Sequence, residues 1–226
     1  MNKLTRRELI KIFGIGVVSS AIGIESTYSE NKSNKSPATT CVLTSEQTAG
    51  PFYFDVEQVR EDITEGKKGT PLELVITVVD SAKDCKPIKD AVVDLWQADA
   101  DGVYSGYKNQ GIDTTGQTYL RGIQITDSEG KVKFKTIYPG IYPGRVPHLH
   151  FKVIIDNKNY VTSQFYFPPE ISKQIYSSNP AYPESKIIDE SSDVVVRYYG
   201  GADDLRMNVK KVNDKYVASH TVGIKI

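Results

Sequence analysis

Residues 131–155 read K-V-K-F-K-T-I-Y-P-G-I-Y-P-G-R-V-P-H-L-H-F-K-V-I-I. Up to Ile137 the stretch alternates. Lys131, Lys133 and Lys135 point one way and Val132, Phe134 and Thr136 the other, the period of two that marks a half-buried strand. Pro139-Gly140 and Pro143-Gly144 then turn the chain twice, which leaves Tyr142 on a loop. From His148 an apolar extended run resumes through Leu149, Phe151, Val153, Ile154 and Ile155. Within it His148 and His150 stand two apart and share one face, about 6.5 Å apart at ~3.3 Å per residue, close enough to hold a single metal ion. Alone, such a pair is as compatible with ordinary surface or core histidines as with a metal site.

Outward from this stretch the same texture continues. Apolar, β-branched runs flanked by Pro, Gly and Asp predict strands at 72–80, 91–97, 123–126, 149–155, 160–167, 194–199 and 206–212. Asn213-Asp214 predicts a two-residue hairpin into 215–226. Residues 170–185, with four serines and two prolines, predict a long loop with at most a short helix. Strands recur every ten to twenty residues and no long segment has helical periodicity. The expectation is an all-β fold, an antiparallel β-sandwich whose long loops carry the site.

The chain has 226 residues and no formal net charge, enough for one domain with a sizeable core. Its basic residues do not cluster, so nucleic acid is not an expected partner. The N-terminus is separate in character. Thr5-Arg6-Arg7-Glu8-Leu9-Ile10-Lys11 and the apolar 12–24 read as an export signal, too short for a comfortable membrane span. The paired arginines point to the twin-arginine machinery, which exports folded proteins, with an ordinary secretory signal as the alternative. No cysteine follows the apolar core to carry a lipid, so no stable membrane anchor is expected. Residues 29–40, rich in Ser, Asn, Lys and Thr, read as a flexible linker. The expected organisation is therefore a signal and linker over 1–40 and one domain over 41–226. For an exported domain two cysteines, Cys41 and Cys85, suggest one disulfide; two separate buried thiols are the other reading.

Several blocks in order carry a resemblance. They are Gly50-Pro51-Phe52-Tyr53, the run Asp94-Leu95-Trp96-Gln97-Ala98-Asp99-Ala100-Asp101-Gly102-Val103-Tyr104-Ser105, Tyr119-Leu120-Arg121-Gly122, Thr126-Asp127-x-x-Gly130, and the H-x-H stretch with Gln164 fourteen residues beyond His150. From about 41 to 167 the chain resembles the intradiol ring-cleavage dioxygenases, the catechol 1,2- and protocatechuate 3,4-dioxygenase family. The resemblance implies a β-sandwich and one Fe(III) per chain held by Tyr104, Tyr142, His148 and His150. Two phenolates and two imidazoles suit a hard trivalent ion better than zinc or calcium. It also implies that Tyr142 leaves the metal as a small aromatic diol binds. The diol, reacting with O2, is then cleaved between its hydroxyl-bearing carbons to a cis,cis-muconate, the iron remaining ferric. Arg145 matches the family's substrate-facing arginine and Gln164 the glutamine beside it. Pro51, Phe52, Tyr53 and Ile141 are expected to line an aromatic pocket. Asp99 and Asp101 read as turn formers and His220 as a non-ligand.

The chain departs from the family at Ala49, where an acidic residue often precedes Gly-Pro, and at Ile141, where Trp is frequent. It also lacks the helical N-terminal segment through which catechol 1,2-dioxygenases dimerise, and so resembles the compact exported branch. No basic residue beside the candidate ligands other than Arg145 awaits a ring carboxylate, so catechol or a neutral substituted catechol is expected over protocatechuate. Two other readings stand beside the enzyme. One is a non-catalytic transthyretin-like or carbohydrate-binding sandwich with a decayed site. The other is a copper or zinc protein using His148 and His150 alone.

Overall fold

A computed structural model describes residues 41–183 and 189–226. The export signal and the linker expected within 1–40 lie outside them. The described elements are β1 (Pro71–Asp80), β2 (Lys86–Pro87), β3 (Val92–Trp96), β4 (Arg121–Ile125), β5 (Lys131–Ile137), β6 (His148–Ile155), β7 (Lys158–Tyr166), α1 (Pro169–Ser178), a 3-10 turn (Glu190–Ser192), α2 (Val194–Tyr199), β8 (Asn208–Val212) and β9 (Lys215–Ile224).

They form two packed sheets. One runs β2-β1-β9-β8, with β5 sharing β1's β2 side; the other runs β4-β3-β6-β7. The alternation in β5 buries Val132 and Phe134 against Leu72, Leu74, Ile76 and Val78 of β1, and the lysines stay outside. On the other side of the core stand Val93 and Leu95 of β3, Leu149, Phe151 and Val153 of β6, and Val161 and Phe165 of β7. Phe151 and Phe165 stack at 4.0 Å.

This is the expected all-β sandwich. Its pairing is antiparallel except between β1 and β9, which run parallel over Leu72–Asp80 and Tyr216–Ile224. Two elements differ from expectation. Residues 194–199 form a helix instead of a strand, because Asp193 caps them by accepting from the N–H groups of Val195 and Val196. Residues 170–185 contain the ten-residue helix α1, led by Pro169, where at most a short helix was expected; proline fits the first helical turn.

Cys41 and Cys85 form a disulfide with Cα atoms 5.6 Å apart. From it the chain runs as a strap across both sheets. The N–H of Thr44 donates to Gly223 and that of Gln47 to Thr162, while the Ser163 hydroxyl donates to the Ser45 carbonyl. The strap ends at Gly50, where a Cβ would come within 3.1 Å of the His150 ring.

Candidate metal centre

Because Leu149, Phe151 and Val153 face the core, the period of two sends His148 and His150 to the outer face of the four-stranded sheet. The register then lays one row across all four strands: Arg121 opposite Trp96, Trp96 opposite His150, and His150 opposite Gln164. A two-residue hairpin and a one-residue register shift between Val153 and Ile154 together set the last pairing. Asp156 and Asn157 both take positive φ (48° and 63°), the twist that matches flanking strands. Trp96 stacks on His150 at 5.0 Å and 5°. Loops cover this face, so His148 and His150 are 3% and 1% exposed although they lie outside the sandwich core.

Tyr104 reaches the same place from a tight loop. The Asp99 side chain accepts from the N–H groups of Asp101 and Val103, so Asp99 forms the turn, as expected, and also ion-pairs with Lys67 at 2.5 Å. The Gln110 amide clasps Tyr104 at its backbone N–H and carbonyl, at 2.7 and 2.8 Å. The Tyr142 loop lies directly on this turn. A Cβ on Gly102 would sit 2.2 Å from the Ile141 carbonyl oxygen, and one on Gly140 2.3 Å from that of Ala100. Only glycine permits this backbone-on-backbone contact, which fixes the two tyrosine-bearing loops relative to each other.

The donor atoms converge. Tyr104 Oη lies 3.3 Å from His148 Nε2, which lies 3.2 Å from His150 Nε2. His148 Nδ1 donates to the Val146 carbonyl at 2.7 Å, which leaves its Nε2 lone pair facing the cluster. Tyr142 is half-buried, its ring 5.5 Å from that of His148 and 5.7 Å from that of Tyr104. Its hydroxyl accepts from Arg145 Nη1 at 3.1 Å, and that nitrogen stands 3.3 Å from His148 Nε2.

Electrostatically the cluster is arranged for a cation. Burial, helped by Arg145, pushes His148 down to about 3, and burial and His148 push His150 well below the usual imidazole range, so both rings are neutral donors. Burial, with Tyr142, raises the Tyr104 phenol well above its ordinary value, so ionisation there needs a strong local positive charge such as a metal ion. Ligands about 2.1 Å from one ion and roughly at right angles stand about 3 Å apart, close to the spacing of Tyr104 Oη and His150 Nε2 from His148 Nε2. Among the described residues no three of His, Cys, Asp or Glu gather around a metal site. The imidazole pair and the neighbouring phenols together make a donor set fit for a hard trivalent ion.

Arg145 is 3% exposed and engaged on every nitrogen. Its Nε donates to both Asp193 oxygens at 2.9 and 3.0 Å, its Nη2 to Gln164 Oε1 at 2.5 Å, and its Nη1 toward Tyr142. Burial works against the charge, but Tyr142 and Asp193 outweigh it and hold the guanidinium above its usual range. Gln164 in turn donates to the Thr48 carbonyl of the strap at 3.0 Å. Asp193, fully buried, also accepts from the Val146 N–H at 2.8 Å. The sequence reading did not single it out. A capping aspartate before a helix was the available clue, hidden by the β-branched run that follows.

The expected pocket residues divide. Phe52 stacks on the Tyr104 ring at 4.6 Å and 15° and meets Tyr142 edge-on at 5.9 Å, so it borders the donors. Pro51 is exposed beside it and Ile141 half-buried. Tyr53 packs against the same cluster of Trp96, Ala98 and Tyr104 from the Trp96 side. It packs on Trp96 at 4.7 Å and donates to Asp94 at 3.0 Å, which makes it a support for Trp96. His220 sits on the other sheet with its ring 5.1 Å from Phe165, apart from the cluster.

A family model described as Dioxygenase matches residues 48–179. The beta chain of protocatechuate 3,4-dioxygenase from Burkholderia cepacia is 30% identical over 154 residues, 61% of this chain and 66% of its own. A chlorocatechol 1,2-dioxygenase of Pseudomonas putida is 28% identical over 168 residues, 64% of this chain and 59% of that one. This chain thus spans somewhat less than two thirds of the length of either relative. A solved intradiol ring-cleavage dioxygenase from Tetranychus urticae superposes with a TM-score of 0.75 at 30% identity, over 82% of this chain and 95% of that one. Match, fold and converging donors agree, and the chain belongs to the intradiol ring-cleavage dioxygenases.

Proposed function

We propose that this protein is a non-haem Fe(III)-dependent dioxygenase that cleaves catechol-type diols with O2 between the two hydroxyl-bearing carbons, giving cis,cis-muconates. The observation that carries the reading is the convergence on His148 Nε2 of Tyr104 Oη at 3.3 Å and His150 Nε2 at 3.2 Å. A bound ferric ion would supply Lewis acidity and a template for both diol oxygens. The chain's own residues do the rest. Tyr104, His148 and His150 are held by buried turns and strands and serve as fixed ligands. Tyr142, on a loop, would be the ligand able to leave, and its oxygen could then take a proton from an incoming diol. Arg145 Nη1 steadies that oxygen beforehand and stabilises negative charge on the bound ring afterwards. Phe52 and Ile141 offer apolar surface to a flat ring and keep water from it.

With Arg145 Nε and Nη2 already committed to Asp193 and Gln164, the arrangement favours catechol or a neutral substituted catechol over a carboxylated one. The test is incubation of the iron-loaded domain with catechol in air and no added reductant. A cis,cis-muconate is the expected product, and a yellow extradiol semialdehyde as main product overturns the reading. The proposal extends to place. The paired Arg6 and Arg7, with a disulfide suited to an oxidising compartment, support export of the 41–226 domain through the twin-arginine machinery. Unchanged export after replacing both arginines by lysine would count against that route. Among the described residues no helix is long and apolar enough to cross a membrane.

A further inference from the structure

Arg121 closes the His150 row at the edge opposite Gln164. It is 1% exposed. Its Nε and Nη2 donate to the hydroxyl and carbonyl of Ser105, the residue after Tyr104, both at 2.8 Å. Nη1 has no hydrogen-bond partner, and no carboxylate of the described residues forms an ion pair with it. The guanidinium lies over the Phe54 ring at 4.1 Å and stands 5.9 and 6.0 Å from the Tyr107 and Tyr104 rings. A buried cation without an anion costs several kcal/mol, and burial here lowers the arginine to about 10.

The neighbours show where the compensating charge arises. Tyr107, Tyr104 and Asp94 all favour the guanidinium's charged form. The Tyr107 hydroxyl donates to the Tyr53 carbonyl at 2.8 Å, away from the donor cluster. Tyr104 instead points its hydroxyl into the donor cluster, where coordination to a metal would make it an anion. That anionic oxygen would be present only when the site is loaded.

We propose that Arg121 is a positioning residue of the metal centre: it fixes the Tyr104 turn through Ser105, and its buried charge balances the anionic oxygen of metal-bound Tyr104. The inference rests on the reading of Tyr104 as a ligand. A cation 6.0 Å from the Tyr104 ring would lower the energy of the donor electrons and so raise the energy of a tyrosinate-to-iron absorption.

The experiment compares native protein with Arg121→Met, Arg121→Lys and Ser105→Ala, reading the visible band, iron loss to a chelator and thermal unfolding of the metal-free protein. Arg121→Met is expected to leave the metal-free protein as stable as native, since an uncompensated buried charge is gone. It should shift the band to longer wavelength and lose iron at least about tenfold faster, the usual scale for groups that support a ligand. Arg121→Lys should restore most of the band position, and Ser105→Ala, which keeps the charge, should leave it near native. An unmoved band and native iron retention in Arg121→Met overturn the inference while the function stands. So does a shift in Ser105→Ala as large as that in Arg121→Met. A native protein that takes up no ferric ion overturns the proposed function and this inference together.

Discussion

Tyr104 and Tyr142 differ in how firmly the chain holds them, and the difference assigns them separate tasks. Tyr104 is fully buried and clasped by Gln110, whereas Tyr142 is half-buried between two Pro-Gly turns. Tyr142→Phe is therefore expected to keep its iron and bind catechol but to turn over at least tenfold more slowly, having lost a proton acceptor and a mobile ligand. Tyr104→Phe should instead lower iron content as purified. Metal analysis and stopped-flow mixing separate the two, and normal turnover by Tyr142→Phe contradicts the assignment. The histidines add a pH dependence. Unfolded, they titrate near 6.5; folded, His148 falls to about 3 and His150 well below its usual value. Below pH 6.5 the unfolded chain takes up protons that the native site refuses, so stability is lost as pH falls from about 6.5 toward 3. Urea midpoints of the metal-free domain should drop between pH 7 and 5, on the order of 1–2 kcal/mol for each imidazole; equal midpoints would mean the rings are not buried neutral. The residues of this cluster were legible because strand period, turn dipeptides and the family blocks each constrain them locally. Asp193 was not, because its role depends on a contact with Arg145 across 48 positions that no local pattern encodes.

Helix α2 shows what happens when propensity and context disagree. Val194-Val195-Val196 is a β-branched run that reads as a strand, yet it has no strand partner and begins at a capping aspartate. That aspartate serves two elements at once, accepting from Val195 and Val196 of the helix and from Arg145 and Val146 of the loop before β6. The helix thus forms as part of the Arg145 site. Asp193→Ala removes the cap and strands a buried guanidinium, a loss on the order of 3–5 kcal/mol, while Asp193→Asn keeps a capping side chain and removes only the charge. Denaturant midpoints should therefore fall further for the alanine variant than for the asparagine one. Both should show reduced turnover, because Arg145 loses the partner that orients its Nη1 toward Tyr142. If Asp193→Asn matches native in both stability and turnover, the ion pair does not position Arg145. The β strands were legible for the opposite reason: their alternation agrees with the layer they bury. The parallel β1–β9 pairing was not, since period two says which face is buried and nothing about strand direction.

Across the whole molecule the strap from Cys41 to Gly50 links the far edge of the five-stranded sheet to the donor cluster on the outer face of the other. Its anchors are spread along its length: the disulfide to Cys85, the bond from Thr44 to Gly223, that from Gln47 to Thr162, the Tyr166 hydroxyl on Gln47 at 2.7 Å, and Gln164 on the Thr48 carbonyl. The disulfide sits at the end remote from the site. Closing a loop of 44 residues' separation restricts the unfolded chain by up to about 4 kcal/mol in the entropic view, and commonly less in practice. The downstream hydrogen bonds do not depend on it, and the last of them lie next to Gly50 and His150. Replacing both cysteines by serine should therefore lower the denaturant midpoint by about 2–4 kcal/mol of stability without moving the visible band of the iron-loaded protein or its turnover of catechol at low temperature. The two readouts distinguish a staple that stabilises the fold from a clamp that shapes the site. If the band shifts while the protein remains folded, the strap's hydrogen bonds are too weak to hold Gly50 against His150 on their own, and the disulfide belongs to the active-site architecture.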